Sequence, residues 1–300
     1  MVSKPKGLTS FQVIKKIKHH FKFRKIGHMG TLDPDASGLL VICVEHATKI
    51  AQYLIAEDKT YVVDFRLGVE SDTFDNQGVM RDVSNQEISQ GALEHALAKF
   101  QGEISQQVPI FSAVKVGGRK LYDYARQGKS VTPPTKKVRI YELHLKNYSY
   151  PVGQFQVRCS KGTYMRSLVH DIGRKLNVGG VTTNIFRIKS GTFSIEEATS
   201  LDDVLTWDHG QMWTKLQPIQ NALADLCSVI IPEHFLPMVM NGMPLSSRQL
   251  DSCNIIYSKK SEAMVSEPAL LRCSKGVNLA LGDLYKGRSF KITRLLVDTQ

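Results

Sequence analysis

The chain has 300 residues, of which 39 are Lys or Arg and 28 are Asp or Glu, so its formal net charge is +11. Hydrophobic residues make up 42% of the sequence, which is enough for a packed core and excludes a wholly disordered chain. The longest apolar run, Leu39 to Val44, is far shorter than the ~20 residues of a membrane-spanning helix, and the lysine-rich start lacks the apolar segment of a secretory signal.

The first part of the chain predicts a helix, a loop and a strand. Thr9 and Ser10 are typical N-cap residues, and apolar side chains at positions 13, 14, 17 and 21 predict a helix over 10–22. Residues 27–38 are rich in Gly, Asp, Pro and Ser, which is typical of a loop. The apolar run from Leu39 to Val44 then predicts a short strand.

The following patterns mix helices and strands without a regular alternation. Helical spacing recurs over 46–56, 89–100 and 163–176, and strand patterns lie at 61–67, 138–146, 154–159 and 185–194. This order favours an α+β fold in which helices flank a mixed, largely antiparallel sheet.

The end of the chain has a different character. The pattern is helical over 200–228, and after Pro232 it changes to short strands. Turn residues separate these strands at Asn241-Gly242, Lys275-Gly276 and Lys286-Gly287. We therefore predict two domains, residues 1–228 and a small β-barrel-like module over 229–300.

The positive charge is concentrated in two segments. Residues 1–30 contain eight Lys or Arg and no acidic residue, and 112–140 contains eight basic residues against the single Asp123. Two such patches favour a polyanionic partner such as a nucleic acid. Residues 11–21 could also form an amphipathic helix that binds an anionic membrane surface, so charge alone leaves both partners open.

Several kinds of chemistry lack a sequence signal. The nine histidines and five cysteines form neither a zinc motif nor a C-x-x-C pair, and no G-x-G-x-x-G segment follows a predicted strand. We therefore expect no metal, no nucleotide cofactor and a reduced, cytoplasmic protein.

The segment from Gly27 to Gly38 holds the strongest candidate for a reactive group. Its composition alone fits an ordinary tight loop. Asp33, however, is the first acidic residue after the eight positive charges, and it lies between loop glycines a few residues ahead of the apolar strand. Surrounding cations would keep its carboxylate ionised, and a basic rim could bring phosphates close, so Asp33 is a candidate nucleophile toward a sugar or a base.

The sequence around Asp33 also resembles a known family. Residues 27–34 read G-H-M-G-T-L-D-P, which resembles the signature of TruB-type tRNA pseudouridine synthases. Further segments resemble the same family in the same order: residues 4–10, 47–49, 59–61, 71–75, the basic insertion within 109–128, and S-K-G-T-Y-M-R at 160–166. The resemblance covers about residues 4–190, and Leu270 to Leu296 resembles a PUA module, a small RNA-binding β-barrel.

The resemblance implies an isomerase that acts on the uridine at position 55 in the T loop of tRNA. The glycosidic bond from N1 to C1′ would break, and the base would turn and rejoin through C5, with the nucleotide flipped out of its loop. Nothing is oxidised, so no cofactor or metal is implied. We expect tRNA as the partner, bound through its T arm by a monomer with no obligatory protein partner and no guide RNA.

The family's roles transfer to matched positions. Asp33 would be the catalytic carboxylate, and the resemblance leaves open whether it attacks C1′, attacks C6 or abstracts a proton on a glycal route. Six residues would bind substrate: His28 by inserting into the T loop, Tyr61 by stacking on the base, Arg166 by pairing with Asp33, and Asp75, Tyr164 and Ile185 by lining the pocket. Each also has an ordinary structural interpretation, such as a strand-edge aromatic for Tyr61.

Two alternatives and one departure accompany this hypothesis. A non-catalytic RNA-binding or RNA-folding factor could share the scaffold, but it would not need Asp33. A guide-dependent relative is the other alternative, and those proteins generally lack an insertion such as 112–135. The departure is Phe186, which replaces one of two arginines expected after Ile185, so we expect a weaker grip on RNA at that point.

Overall fold

The structure is a computed structural model that describes residues 1–224, 226–257, 266–285 and 289–296. The predicted turn at Lys286-Gly287 lies outside these residues. Two compact units are present. The first unit contains Met1–Ile17, Gly30–Ile42 and Ile55–Leu205, and the second contains Lys18–Met29, Cys43–Leu54 and the described part of Thr206–Gln300. The functional division near residue 228 stays a prediction.

The elements have the following bounds. The α-helices are α1 (Ser10–Phe21), α2 (Ala51–Ile55), α3 (Gln90–Ala98), α4 (Leu121–Arg126), α5 (Met165–Lys175), α6 (Leu201–Val204), α7 (His209–Lys215), α8 (Ile219–Ala222), α9 (Leu236–Met240) and α10 (Ser247–Leu250). Short 3₁₀ helices cover Glu45–Ile50, Ile195–Glu197 and Glu233–Phe235. The strands are β1 (Val2–Lys4), β2 (Ile26–His28), β3 (Ser37–Leu40), β4 (Ile42–Val44), β5 (Lys59–Leu67), β6 (Val69–Ser71), β7 (Met80–Asp82), β8 (Gly102–Gln107), β9 (Lys115–Val116), β10 (Arg119–Lys120), β11 (Thr135–Ser149), β12 (Val152–Cys159), β13 (Gly180–Ser190), β14 (Phe193–Ser194), β15 (Thr199–Ser200), β16 (Cys227–Ile231), β17 (Leu245–Ser246), β18 (Asn254–Ile256), β19 (Ser266–Cys273), β20 (Asn278–Tyr285) and β21 (Ser289–Leu295).

The first unit is built on a mixed sheet. Its strand order is β15-β1-β3-β13-β5-β12-β11-β8, and β14 pairs with β13 off this path. The pairs β1–β15 and β3–β13 are parallel, whereas the other pairs of this sheet are antiparallel. The predicted α+β fold with a largely antiparallel sheet is therefore confirmed.

The core of the first unit lies between this sheet and two helices. Alternation along β5 buries Val63, Phe65 and Leu67 on one face. Leu168, Val169 and Ile172 of α5 and Leu93 and Leu97 of α3 join the same core cluster. This packing holds α5 against the sheet and so fixes the position of the helix that carries Arg166.

The start of α1 follows the predicted capping chemistry. The Thr9 hydroxyl accepts a hydrogen bond from the Gln12 amide at 3.1 Å, and the Gln12 side chain accepts one from the Thr9 amide at 2.8 Å. This reciprocal pair is a capping box that satisfies two amides at the helix start. The helix ends at Phe21, one residue before the predicted end.

The predicted strand from Leu39 to Val44 proves to be two strands. β3 pairs with β1 and β13, whereas β4 pairs with β2, and Val41 lies between them. The apolar run continues through the break because Leu40, Val41 and Cys43 are all buried. Hydrophobicity alone therefore does not reveal that the two halves have different partners.

The second unit contains the C-terminal β-rich module. Its sheet has the order β17-β21-β20-β19-β16-β18 and covers a separate hydrophobic core. The helical pattern predicted over 200–228 corresponds to α6, α7 and α8, and β16 then begins at Cys227. Among the described residues, no helix is long and apolar enough to span a membrane.

Candidate active site

The loop that carries Asp33 is held by residues from the start of the chain. The Ser10 hydroxyl accepts from the Leu32 amide at 2.9 Å and donates to the Leu32 carbonyl at 3.2 Å. The buried Lys4 ammonium donates to the Pro34 carbonyl at 2.9 Å. Because its two sequence neighbours are anchored in this way, Asp33 occupies a defined position.

Arg166, the second residue of α5, connects this loop with two other segments. Its Nε donates to Oδ2 of Asp33 at 2.9 Å. Nη1 donates to the Thr73 carbonyl at 3.1 Å, and Nη2 donates to the Phe111 carbonyl at 3.0 Å. Oδ2 of Asp75 lies 3.7 Å from Nε. The guanidinium therefore has a partner on each nitrogen, which fixes its plane and aims it at Asp33.

Asp75 is fixed on the loop that follows β6. Its Oδ1 accepts from the Thr73 hydroxyl at 2.5 Å and from the Gln77 amide at 3.0 Å. An isolated bridge joins Asp75 to Thr182 of β13. The structure thus brings Asp75 close to Asp33 and Arg166, as a second carboxylate beside the guanidinium.

A cavity of about 390 Å³ opens beside Asp33 and Arg166. Tyr61, Tyr164 and Ile185, three of the residues predicted to bind substrate, contribute to its wall. The remaining lining residues include six basic or small polar side chains, namely Thr31, Lys59, Ser112, Lys161, Thr163 and Arg187. The cavity combines an aromatic and apolar wall with one carboxylate and several cations, which suits a nucleotide.

Both tyrosines of this wall are held in their protonated form. Burial raises the pKa of Tyr61, and the Arg187 guanidinium on the neighbouring strand opposes this rise. Burial likewise raises the pKa of Tyr164, opposed by the positive charge of the Arg166 guanidinium. The backbone of Tyr164 is fixed by Gln106, which accepts from its amide at 3.0 Å and donates to its carbonyl at 3.2 Å. Both rings therefore face the cavity as neutral groups.

A smaller cavity of about 200 Å³ shares part of this wall. Asp33, Ala36, Arg166 and Ile185 line both spaces. Asp75 lines only the smaller cavity, whereas Tyr61 and Tyr164 line only the larger one. His28 is the last residue of β2, is half-buried, and is not among the residues described as lining either cavity.

Two buried cations near Asp33 were missed at the sequence level. Arg187 donates from Nε to the Leu39 carbonyl at 2.8 Å and from Nη2 to the Gly30 carbonyl at 3.0 Å. Lys59 donates to the Ile55 carbonyl at 2.7 Å, and burial lowers its pKa to about 8. Both residues brace the cavity wall, so Arg187, the arginine that remains beside Phe186, is not a surface cation.

Most basic residues of the two positively charged segments are exposed, with one correction to the expectation from the sequence. Lys4 belongs to the N-terminal segment of eight basic residues, but it is buried and braces the Asp33 loop, and its burial lowers its pKa to about 8. The other seven are exposed. Within 112–140, Lys120 is half-buried and the other basic residues are exposed.

Metal ligands are not clustered in the part of the chain that the structure describes. There, no group of three or more His, Cys, Asp or Glu side chains lies close enough together to hold a metal ion.

Comparisons with known proteins point in one direction. Residues 18–165 match the sequence profile described as TruB family pseudouridylate synthase (N terminal domain). A tRNA pseudouridine synthase B of Clostridium kluyveri is 37% identical over 254 residues, which are 85% of this chain and 87% of the relative. Proteins of the same name from Francisella tularensis (40% over 270 residues, 89% of each chain) and Clostridium perfringens (35% over 299 residues, 99% of this chain and 98% of the relative) are also similar.

The fold resembles a solved structure as well. A chain in the crystal structure of a Cbf5-Nop10-Gar1 complex superposes with a TM-score of 0.77 at 24% identity, covering 99% of this chain and 84% of that one. At this level of identity the likeness concerns the fold alone.

Proposed function

The chain belongs to the TruB family of pseudouridylate synthases, and from that premise we propose that it converts the uridine at position 55 of the tRNA T loop to pseudouridine without a guide RNA. The reaction is an isomerisation. The bond between N1 and C1′ breaks, a bond between C5 and C1′ forms, C5 releases its proton and N1 gains one. No electrons leave the substrate, so the proposed chemistry requires an acid–base or nucleophilic carboxylate and no redox group.

The observation that carries this proposal is the Asp33–Arg166 pair at the edge of the larger cavity. Arg166 binds Oδ2 of Asp33, and none of the described hydrogen bonds engages Oδ1. We assign Oδ1 as the atom that reacts with the nucleotide, either at C1′, at C6 or at a proton. The guanidinium stabilises the charged carboxylate and holds it in one orientation before the substrate arrives.

The cavity wall supports a flipped uridine. Flipping a nucleotide out of its loop costs a few kcal/mol, and stacking of one base on an aromatic ring returns roughly 1–3 kcal/mol. We assign Tyr61 as the ring that stacks on the uracil, Ile185 as its apolar support and Tyr164 as a pocket wall, since all three line the cavity beside Asp33. We retain His28 as the residue that enters the T loop, on the basis of its motif alone.

The exposed basic residues supply affinity for tRNA. The seven exposed cations within residues 1–30 and those of the 112–140 segment can neutralise phosphates on the T arm. The relatives that are 35–40% identical are named tRNA pseudouridine synthase B, and the basic insertion within 112–135 is the feature that favours stand-alone action over guidance by another RNA. We retain residues 1–228 as the catalytic domain, 229–300 as a PUA-like RNA-binding module, and a cytoplasmic monomer as the working form.

One experiment tests the proposal. An unmodified tRNA transcript is incubated with the protein alone, and pseudouridine is mapped at every uridine. We expect modification at position 55, and none in a control transcript that carries cytidine at that position. If the transcript binds but position 55 stays uridine, stand-alone modification is wrong, and the protein is either a non-catalytic RNA-binding factor or an enzyme that depends on a guide RNA.

A further inference from the structure

One face of α5 contacts two consecutive residues of the loop that follows β6. Arg166 and His170 are four residues apart, so they lie one above the other on the helix surface. Arg166 donates to the Thr73 carbonyl at 3.1 Å. The His170 ring stacks on the ring of Phe74, with centroids 4.0 Å apart and planes inclined by 17°. Arg166 and His170 thus hold the same loop.

Phe74 adopts a backbone conformation that needs support. Its φ is +62°, in the left-handed region that a bulky side chain rarely occupies. Its amide donates to the Ser71 carbonyl at 3.2 Å, and its carbonyl accepts from the Thr182 amide at 3.1 Å and hydroxyl at 3.2 Å. Such strain persists only where the surroundings determine the conformation, and a conformation of this kind at a functional site points to a role for the site.

The His170 ring acts as a flat surface and not as a charge. Its Nδ1 is buried and has no hydrogen-bond partner among the described residues. Burial lowers the pKa of His170, so the imidazole is neutral at physiological pH. A neutral, stacked ring can stabilise the position of the Phe74 ring through dispersion and exclusion of water. An aromatic substitute should therefore perform the same task.

We propose that His170 and Phe74 are positioning residues, which hold the Thr73 carbonyl against Nη1 of Arg166 and thereby fix the Arg166–Asp33 pair. The inference rests on the proposed function for its effect on rate. Without the stack, the strained turn relaxes, Thr73 leaves Arg166, and the guanidinium loses one of the three partners that set its plane. The Asp33 carboxylate is then still present as a reactive group, but Arg166 no longer holds it in one orientation.

The test compares variants at position 170 under single-turnover conditions with saturating enzyme and a tRNA transcript. We expect His170→Ala to slow pseudouridine formation by roughly 10- to 100-fold with an unchanged Kd for tRNA, because misplaced reacting groups cost rate and not affinity. His170→Phe should restore most of the rate. Phe74→Leu, which keeps an apolar side chain but loses the flat ring, should slow the reaction as His170→Ala does.

A matched control separates positioning from general stability. Tyr148 stacks on Phe65 with centroids 6.4 Å apart, in the core of the same unit and without a described contact to the loop that follows β6. Tyr148→Ala should lower the free energy of unfolding but leave the single-turnover rate unchanged. The proposal is wrong if His170→Ala reacts at the wild-type rate, or if Tyr148→Ala slows the reaction equally at equal loss of stability.

A second readout does not depend on activity. The amides of Phe74 and Asn76 are hydrogen-bonded to Ser71 and Thr182. In hydrogen exchange, these two amides should exchange faster in His170→Ala than in wild type. In His170→Phe they should exchange at the wild-type rate. If wild type produces no pseudouridine, the proposed function fails, and the exchange result alone then decides the positioning role. Unchanged exchange in His170→Ala would overturn it.

Discussion

The Arg166 guanidinium and the Asp33 carboxylate are joined at 2.9 Å but differ sharply in burial, because the arginine side chain is 5% exposed and the aspartate side chain is 42% exposed. The buried member of the pair is compensated by the carbonyls of Thr73 and Phe111 in addition to the carboxylate. The exposed member remains open to the cavity. Protein groups therefore prepare the carboxylate before any ligand binds, which is the arrangement expected of electrostatic preorganisation.

Replacement of the arginine tests this arrangement. Arg166→Lys keeps the charge but cannot serve Asp33 and both carbonyls in the same geometry. We expect the reaction to slow because an oriented donor is lost, with an increase of about 2–4 kcal/mol in the activation free energy. The free energy of unfolding should fall by about 1–3 kcal/mol, because buried carbonyls lose their donor. Single-turnover kinetics and urea unfolding measure these two effects. Wild-type kinetics in this variant would contradict the assigned role.

Gly38 of β3 allows the close approach of β3 to Arg187 on β13. Gly38 has a φ of +100°, and a Cβ there would lie 2.4 Å from the Arg187 carbonyl oxygen. A non-glycine residue in this backbone conformation costs about 1–3 kcal/mol by itself. Gly38→Ala should also force β3 and β13 apart, so the total loss of stability should exceed that amount. Gly7→Ala is the control, because Gly7 also has a positive φ but no atom within 4 Å of a new Cβ. Equal destabilisation of the two variants in urea unfolding would show that the close approach is not tight.

Lys59 makes stability depend on pH at the alkaline side. Burial lowers its pKa from 10.5 to about 8, so between these values the unfolded chain binds more protons than the folded one. Stability contributed by this group therefore rises with pH in that window, by up to about 1.4 kcal/mol per pH unit. From pH 8 to 10, the free energy of unfolding of wild type should therefore increase relative to that of Lys59→Met. Lys189→Met, at an exposed position of β13, is the control. A pH-independent difference for Lys59→Met would refute the assignment.

The insertion should contribute electrostatic affinity for tRNA. Lys115, Arg119 and Lys129 are exposed there, and replacing all three by Gln leaves phosphates without their cations if the insertion grips RNA. We expect the plot of log K against log salt concentration to become shallower by about 0.7–0.9 for each phosphate that is no longer neutralised. Lys175→Gln, at the end of α5, serves as the single-charge control. If the salt dependence of log K is unchanged in the triple variant, these three residues do not contact tRNA phosphates.

The sequence predicted elements whose signal is local. Apolar spacing and capping residues placed α1, α3 and α5 within one or two residues of their observed bounds, and the motif around Asp33 indicated the carboxylate that Arg166 binds. Such features depend on neighbours in the chain, so a single sequence contains them.

The sequence did not predict the braces that depend on tertiary pairing. Arg187 and Leu39 meet across 148 residues because β3 pairs in parallel with β13, and no local pattern encodes that pairing. For Lys59 a signal did exist. It shares one face of β5 with Tyr61 and Val63, so the alternation already pointed its stem inward.

The most direct test of the account replaces the carboxylate alone. Asp33→Asn keeps the size of the side chain and a hydrogen-bond acceptor for Arg166, but removes the charge and the nucleophilic oxygen. Pseudouridine at position 55 and the Kd for unmodified tRNA are measured on the same preparation. We predict no pseudouridine and retained binding. Pseudouridine formation by Asp33→Asn at a rate near that of wild type would contradict the central claim.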